Sequence, residues 1–341
     1  MDHEWSADAV HFVEPRGAGC GPALLARIAR LAHEDNAPIV VMGNHADVEL
    51  ARSVGCDVAA LLAPPLGVPR LASGAIRRLW HTFDASHAVA WSERAAVALT
   101  GLRRSVVLEA RIAAVSGAMP WVEARRRARV SVSGIGVGVG EFLATRGWRV
   151  GPSLSVGDLP EPIKYEGMSR EALRRRWHAR KDEEILVASS DPPELLDMLG
   201  VYTVGLVSRM KGRRLRIVAH PDSGGLSAAQ RFAKELKQDD PAKHVPIAID
   251  SLAVDPQAIA EGVDLVASLS RAAAGRRELD SAVLVEAWSE LGVETFSTRA
   301  AVGGACPKAN VLGSDSRNEL ATLLQEPPSQ SAAERELAAS R

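Results

Sequence analysis

VHFVEPRGAGCGPALLARIARLAH, residues 10 to 33, decides the fold. Val10 to Glu14 is an apolar run of strand length, Arg16 to Gly21 is a glycine-rich loop, and from Pro22 leucines and an isoleucine recur three and four residues apart. Proline is tolerated at a first helical turn because the N–H it lacks has no partner there anyway, so the helix is predicted over Pro22 to His33. Ile39 to Met42 is the next apolar run. Strand, loop, amphipathic helix and strand in this order make a βαβ unit, whose crossover demands parallel strands.

The same alternation continues outward. Val58 to Leu62, Ala88 to Trp91 and Val106 to Leu108 read as strands, separated by helical stretches at Ala46 to Ser53, Leu71 to Trp80 and Ser92 to Leu102. Three prolines and three glycines in Gly151 to Met168 then break all periodicity. Beyond them Ser169 opens a helix with Glu171 two residues on. Strands are predicted at Ile185 to Ser189, Leu215 to His220, Val245 to Ile249, Leu265 to Ala267 and Glu294 to Ser297, with Val311 and Leu312 before a last helix at Arg317 to Gln325. Helices are predicted at Glu194 to Met210, Ala228 to Leu236, Pro256 to Ala260 and Val283 to Glu290. The expected organisation is an α/β chain of two Rossmann-like domains, 1–156 and 169–325, with parallel sheets facing a cleft, a linker at 157–168 and a polar tail at 326–341.

Composition narrows the function. The 341 residues carry 41 basic and 42 acidic side chains, so no bulk field attracts a polyanion, and nucleic acid is not an expected partner. Cys20, Cys56 and Cys306 form no C-x-x-C pair, which points away from a disulfide framework or thiolate zinc site and towards a reducing, cytoplasmic setting. The nine histidines show no H-E-x-x-H spacing, and no metal is expected. No run of eighteen apolar residues is present, so a membrane-spanning helix is not expected, and the opening MDHEWSADAV lacks the apolar core of a signal peptide. The arginine runs at 125 to 127 and 174 to 176 sit in helical text, where solvated faces are the ordinary explanation.

Three segments are candidates for chemistry. Gly17, Gly19 and Gly21 stand between a strand and a helix, where free N–H groups and the helix dipole favour an anion, although a plain tight turn uses the same residues. The alternating glycines of SGIGVGVG, 133 to 140, match neither dinucleotide nor P-loop spacing and are expected to make a close-packed strand-to-helix joint. The third segment is ELDSAVLVEAWSELGVETFSTRAAVGG, 278 to 304, in which seven residues separate Glu278 from Glu286, Ala287 follows directly, and Gly292 and a Gly-Gly pair come later. Such spacing lets a loop carboxylate and a helix carboxylate face one crevice and accept hydrogen bonds from hydroxyls.

This last segment resembles the donor-site motif of family 4 glycosyltransferases of the GT-B fold. The order of the chain agrees. Either Val89 to Leu102 or Val130 to Gly147 is similar to the strand-Ser-helix near the end of the family's first domain; Arg170 to Trp177 resembles the helix that opens its nucleotide domain, and Asp264 to Ser270 its D-x-x-x-x-P-S segment. The resemblance implies a nucleotide-diphosphate sugar as donor substrate, no cofactor, an unidentified acceptor and retention at the sugar. It implies Glu278 on the sugar as the catalytic group, flanked by Leu279, Asp280 and Ser281, Glu286 on the ribose, and the Gly17 to Gly21 loop near the donor phosphates or the acceptor.

The departures concern charge. Where the family has Gly-Arg and then Lys-Gly, this chain has Ser189, Ser190, Asp191, Pro192 and Pro193. VGLVSRMKG, 204 to 212, imitates the missing pair, but Leu215 follows too soon, so Arg209 and Lys211 are expected at a helix C-terminus. A nest of backbone N–H groups at Ser189 to Asp191, or Arg276 and Arg277 beside Glu278, are the remaining candidates for the diphosphate. Losing one electrostatic donor to a developing charge typically costs about 3 kcal/mol. The chain is therefore expected to be either a glycosyltransferase or a non-catalytic GT-B-like binding or scaffolding protein without a phosphate clamp.

Overall fold

The computed structural model describes residues 8–16, 19–64, 69–83, 85–115, 124–136, 138–270, 281–298, 310–312 and 320. The first half runs β1 (Ala9–Val13), α1 (Pro22–Glu34), β2 (Ile39–Met42), α2 (His45–Ser53), β3 (Val58–Leu62), α3 (Ser73–Trp80), β4 (His87–Ala90), α4 (Glu93–Leu99), β5 (Val107–Ile112), α5 (Ala124–Arg127), β6 (Val130–Gly134), α6 (Val139–Thr145) and β7 (Arg149–Val150). The second half runs α7 (Arg170–Arg176), β8 (Glu184–Ala188), α8 (Met198–Met210), β9 (Leu215–Ala219), α9 (Leu226–Asp239), β10 (Ile247–Ile249), α10 (Pro256–Ile259), β11 (Leu265–Ser268), α11 (Ala282–Glu290), β12 (Glu294–Thr298) and β13 (Asn310–Leu312). The predicted last helix, 317–325, lies outside the described residues except for Leu320, which is buried.

Two parallel sheets result, ordered β3-β2-β1-β4-β5-β6-β7 and β10-β9-β8-β11-β12-β13 among the described residues. Every residue of β2 and of β11 is buried, as strands covered by helices on both faces must be, and this is why they read as continuous apolar runs. Helix starts follow local chemistry. Asn44 and Asp47 form a reciprocal capping box on α2, the Ser92 hydroxyl accepts from Ala95 N–H at 3.0 Å, and Ser169 does the same for Ala172 on α7. α8 begins four residues later than expected, because Pro192 and Pro193 occupy the approach and Asp197, accepting from Gly200 N–H at 3.1 Å, is the cap. Arg209 lies in the last turn of α8, and Lys211 follows its end.

SGIGVGVG is a strand-to-helix joint, β6 into α6. A Cβ on Gly134 would stand 2.3 Å from the Gly140 nitrogen, so the two backbones approach closer than any side chain permits. Gly134→Ala is expected to lower stability by about 1 to 3 kcal/mol, the scale of overpacking; an unchanged urea midpoint would show that the joint yields at no cost.

The two sheets share one core. Leu24, Leu25 and Ile28 of α1 belong to the same buried cluster as Val283, Leu284 and Trp288 of α11, and Val156 and Leu159 of the intervening segment belong to it too. Arg27, on the same face of α1 and 2% exposed, completes the contact: its Nη2 lies 2.8 Å from both carboxylate oxygens of Glu290, and its Nη1 donates to the Pro160 carbonyl. Among the described residues, no helix is long and apolar enough to cross a membrane.

Candidate functional site

Strand order reverses between β1 and β4 in the first sheet and between β8 and β11 in the second. At such switch points the loops after adjacent strands diverge and leave a crevice at the carboxyl ends. The loop after β1 holds Gly19 and Gly21; the loop after β8 holds Ser189, Ser190 and Asp191. These two loops meet. Gly19 N–H donates to one oxygen of Asp191 at 3.3 Å and Gly21 N–H to the other at 3.2 Å, both bonds buried.

Glycine is required on this loop. Gly19 has φ +74°, and a Cβ there would stand 2.5 Å from the Ala114 nitrogen, while a Cβ on Gly21 would stand 2.8 Å from Asp191 Oδ2. The N-terminus of α1 thus binds an anion, and that anion is the carboxylate of Asp191 from the other sheet. The Asp191 carbonyl in turn accepts from Ser281 N–H at 2.9 Å, next to the start of α11.

Beside this junction lies a cavity of about 410 Å³. Pro15, Arg16 and Gly21 border it from the first sheet; Asp191, Glu194, His220, Asp222 and Asp255 border it from the second. The Arg16 guanidinium is 3.2 Å from Asp47. His220 accepts the Asp222 N–H on Nδ1 at 3.1 Å, which puts the proton of the neutral ring on Nε2, and burial lowers its pKa. Burial raises the pKa of Asp255, which accepts a hydrogen bond from the Tyr165 hydroxyl and caps α10 through Ala258 N–H. Among the described residues, four carboxylates therefore stand against one guanidinium around this space.

Ser189 and Ser190 are each 1% exposed. The Ser189 hydroxyl donates to the Ala253 carbonyl at 2.6 Å and accepts from Trp288 Nε1 at 3.3 Å, and the Ser190 hydroxyl donates to the Pro192 carbonyl. Glu286 is half-buried on the second turn of α11, and Ser281 is buried at that helix's N-cap. Gly17, Arg276, Arg277, Glu278, Leu279 and Asp280 lie outside the described residues. The described residues contain no group of three His, Cys, Asp or Glu side chains placed to hold a metal ion.

Glu194 and Asp255 had no motif to mark them. Arg16 and Asp191 stand in the two loops that the sequence marks, and the signal at 191 was an acid where the resemblance implies cations.

No family model matches the sequence, and no curated protein matches it. Solved structures do. HepE of Anabaena, solved with UDP-glucose, superposes with a TM-score of 0.56 at 13% identity over 93% of this chain and 88% of that one. A glycosyltransferase of Rickettsia africae gives 0.55 at 11% identity over 93% and 87%. WaaG, a glycosyltransferase of lipopolysaccharide biosynthesis, gives 0.54 at 10% identity over 95% and 90%. At these identities the likeness is one of fold: the chain has the two-domain α/β architecture of GT-B glycosyltransferases.

Proposed function

We propose that this protein transfers a sugar from a nucleotide-sugar donor to an acceptor, with retention as the family 4 resemblance implies. The reading is carried by a cavity at the facing carboxyl ends of two parallel sheets, in a fold whose solved neighbours include a UDP-glucose complex. In this reading residues 1–156 form the acceptor side, 157–168 the linker and 169–325 the donor side. Glu286 accepts from the ribose hydroxyls, and Glu278 binds the sugar at the reacting carbon, with Leu279, Asp280 and Ser281 beside it.

The departing diphosphate needs positive charge. Arg276 and Arg277, adjacent to Glu278 in sequence, are the candidates to supply it, since the loop of Ser189 to Asp191 brings a carboxylate. Two observations favour a second reading, a non-catalytic binding protein: Asp191 takes the Gly19 and Gly21 N–H groups, and among the described residues four carboxylates line the cavity.

Two measurements decide between these. Glu286→Ala is expected to weaken nucleotide affinity by about 1 to 3 kcal/mol, the scale of a lost charged acceptor, and unchanged calorimetry would remove Glu286 from the site. For an enzyme whose clamp lies at Arg276 and Arg277, a nucleoside diphosphate binds about a hundredfold or more tighter than its nucleoside. Charge removal at both arginines should then erase the difference. Affinities within about tenfold, with no turnover of any sugar donor, would overturn the transferase reading in favour of the binding protein.

A further inference from the structure

The end of the first sheet opposite the crevice carries a different charge. Between residues 69 and 149 the sequence has thirteen arginines and five acids, although the whole chain is nearly neutral. In a parallel sheet the residues just before each strand gather at the amino end. His81 precedes β4, Arg103 and Arg104 precede β5, and Arg126 and Arg129 precede β6, so five cationic or titratable side chains from three connections reach one face.

Their packing makes a pocket. A cavity of about 260 Å³ is lined, among the described residues, by Arg77, Trp80, His81, Gly101, Leu102 and Arg103, none of them a carboxylate. The Arg77 Nε donates to the Gly101 carbonyl at 2.6 Å, which fixes the side chain and leaves its two terminal nitrogens without a hydrogen bond among the described residues. Trp80, 9% exposed and stacked on Phe12, is a rigid wall. Behind the rim, Arg129 donates to the carbonyls of Thr100, Leu102 and Arg103, each at 3.1 Å, and so pins the loop that presents Arg103. Burial, and after it the nearby Arg104 and Arg126, lower the pKa of Arg129, as expected where like charges crowd together. Arg78, Arg103 and Arg104 take part in no ion pair among the described residues.

We propose that this pocket is a binding site for a phosphate group, held between the guanidinium groups of Arg77 and Arg103 with the His81 imidazole on its rim. Guanidinium forks match phosphate oxygens in a bidentate way, and a concave, one-sign lining concentrates the field that draws an anion in. The site lies at the opposite end of the sheet from the crevice, so it does not rest on the transferase reading. A soluble phosphate ester and a phospholipid headgroup share this chemistry.

The test uses the full chain in two arms. In the first, inorganic phosphate and pyrophosphate are titrated by calorimetry at low salt; in the second, the protein is sedimented with vesicles of equal parts phosphatidylglycerol and phosphatidylcholine. Arg103→Glu is compared with Arg52→Glu, an exposed position on α2 that changes net charge equally. The expected result is saturable binding in at least one arm, weakened about tenfold or more by Arg103→Glu and little by Arg52→Glu, with thermal midpoints unchanged. Loss in the soluble arm identifies a phosphate ester as the ligand; loss in the vesicle arm alone identifies a headgroup. No binding in either arm, or equal weakening by both variants, overturns the proposal. Arg103→Lys, which keeps charge without the fork, is expected to recover part of the affinity.

Discussion

Glu290→Ala is expected to lower the unfolding free energy by about 3 to 5 kcal/mol, because it leaves the Arg27 guanidinium buried without its counter-charge. Arg27 is 2% exposed, and among the described residues its other hydrogen bond goes to the Pro160 carbonyl at 3.2 Å, which cannot replace a carboxylate. The pair itself contributes less than this loss suggests, since burying both ions has its own desolvation penalty. The double change Arg27→Met with Glu290→Leu is therefore expected to recover most of the stability. Urea unfolding of the wild type, the single variant and the double variant measures both quantities. A single-variant loss under about 1 kcal/mol would class the bridge with exposed surface pairs and deny it a role in joining α1 to α11.

Asp191→Ala is expected to have two opposed effects. It removes the acceptor from the buried N–H groups of Gly19 and Gly21, and at about 1 to 3 kcal/mol per unsatisfied donor the protein should lose roughly 2 to 6 kcal/mol. It also frees the N-terminus of α1 for an external anion and takes one negative charge off the cavity wall. A nucleoside diphosphate should then bind the variant at least about tenfold more tightly than the wild type, while the nucleoside shows no such gain. At a hundred times its Kd the ligand would restore about 2.7 kcal/mol, a substantial part of the loss in a thermal-shift measurement. Asp191→Asn, which keeps an acceptor oxygen but not the charge, should retain more stability and gain less affinity. Equal diphosphate affinity in wild type and Asp191→Ala would mean that the glycine loop does not meet phosphate at all.

What the sequence determined by itself was local. The apolar runs at Val10 and Ile39, the helix from Pro22, the cap at Ser169, the joint in SGIGVGVG and the helix end at Arg209 and Lys211 follow from side-chain periodicity, proline geometry and glycine's freedom at positive φ. Those effects act within a turn or two of the chain, so they are legible in a window of a dozen residues. β6 and α6 had no predicted boundaries because glycines dilute the periodicity around them. The α8 start was misplaced because two prolines and Asp197 outweigh its helix-forming neighbours.

The tertiary structure alone decided which groups meet. Asp191 reaches Gly19 across 172 positions, Glu290 reaches Arg27 across 263, and Arg77 comes beside Arg103 through a loop pinned by Arg129. None of these partners has a spacing rule, because each pairing depends on where the strand order reverses and on how two sheets pack over a shared core. An acid at 191 read in isolation is a missing cation; in the fold it is the anion that the glycine loop holds. The arginines at 125 to 127 read as a solvated face while that run stands alone, and Arg77 and Arg103 belong to no motif. They become one field only because parallel strands collect the residues before β4, β5 and β6 at the same end of the sheet.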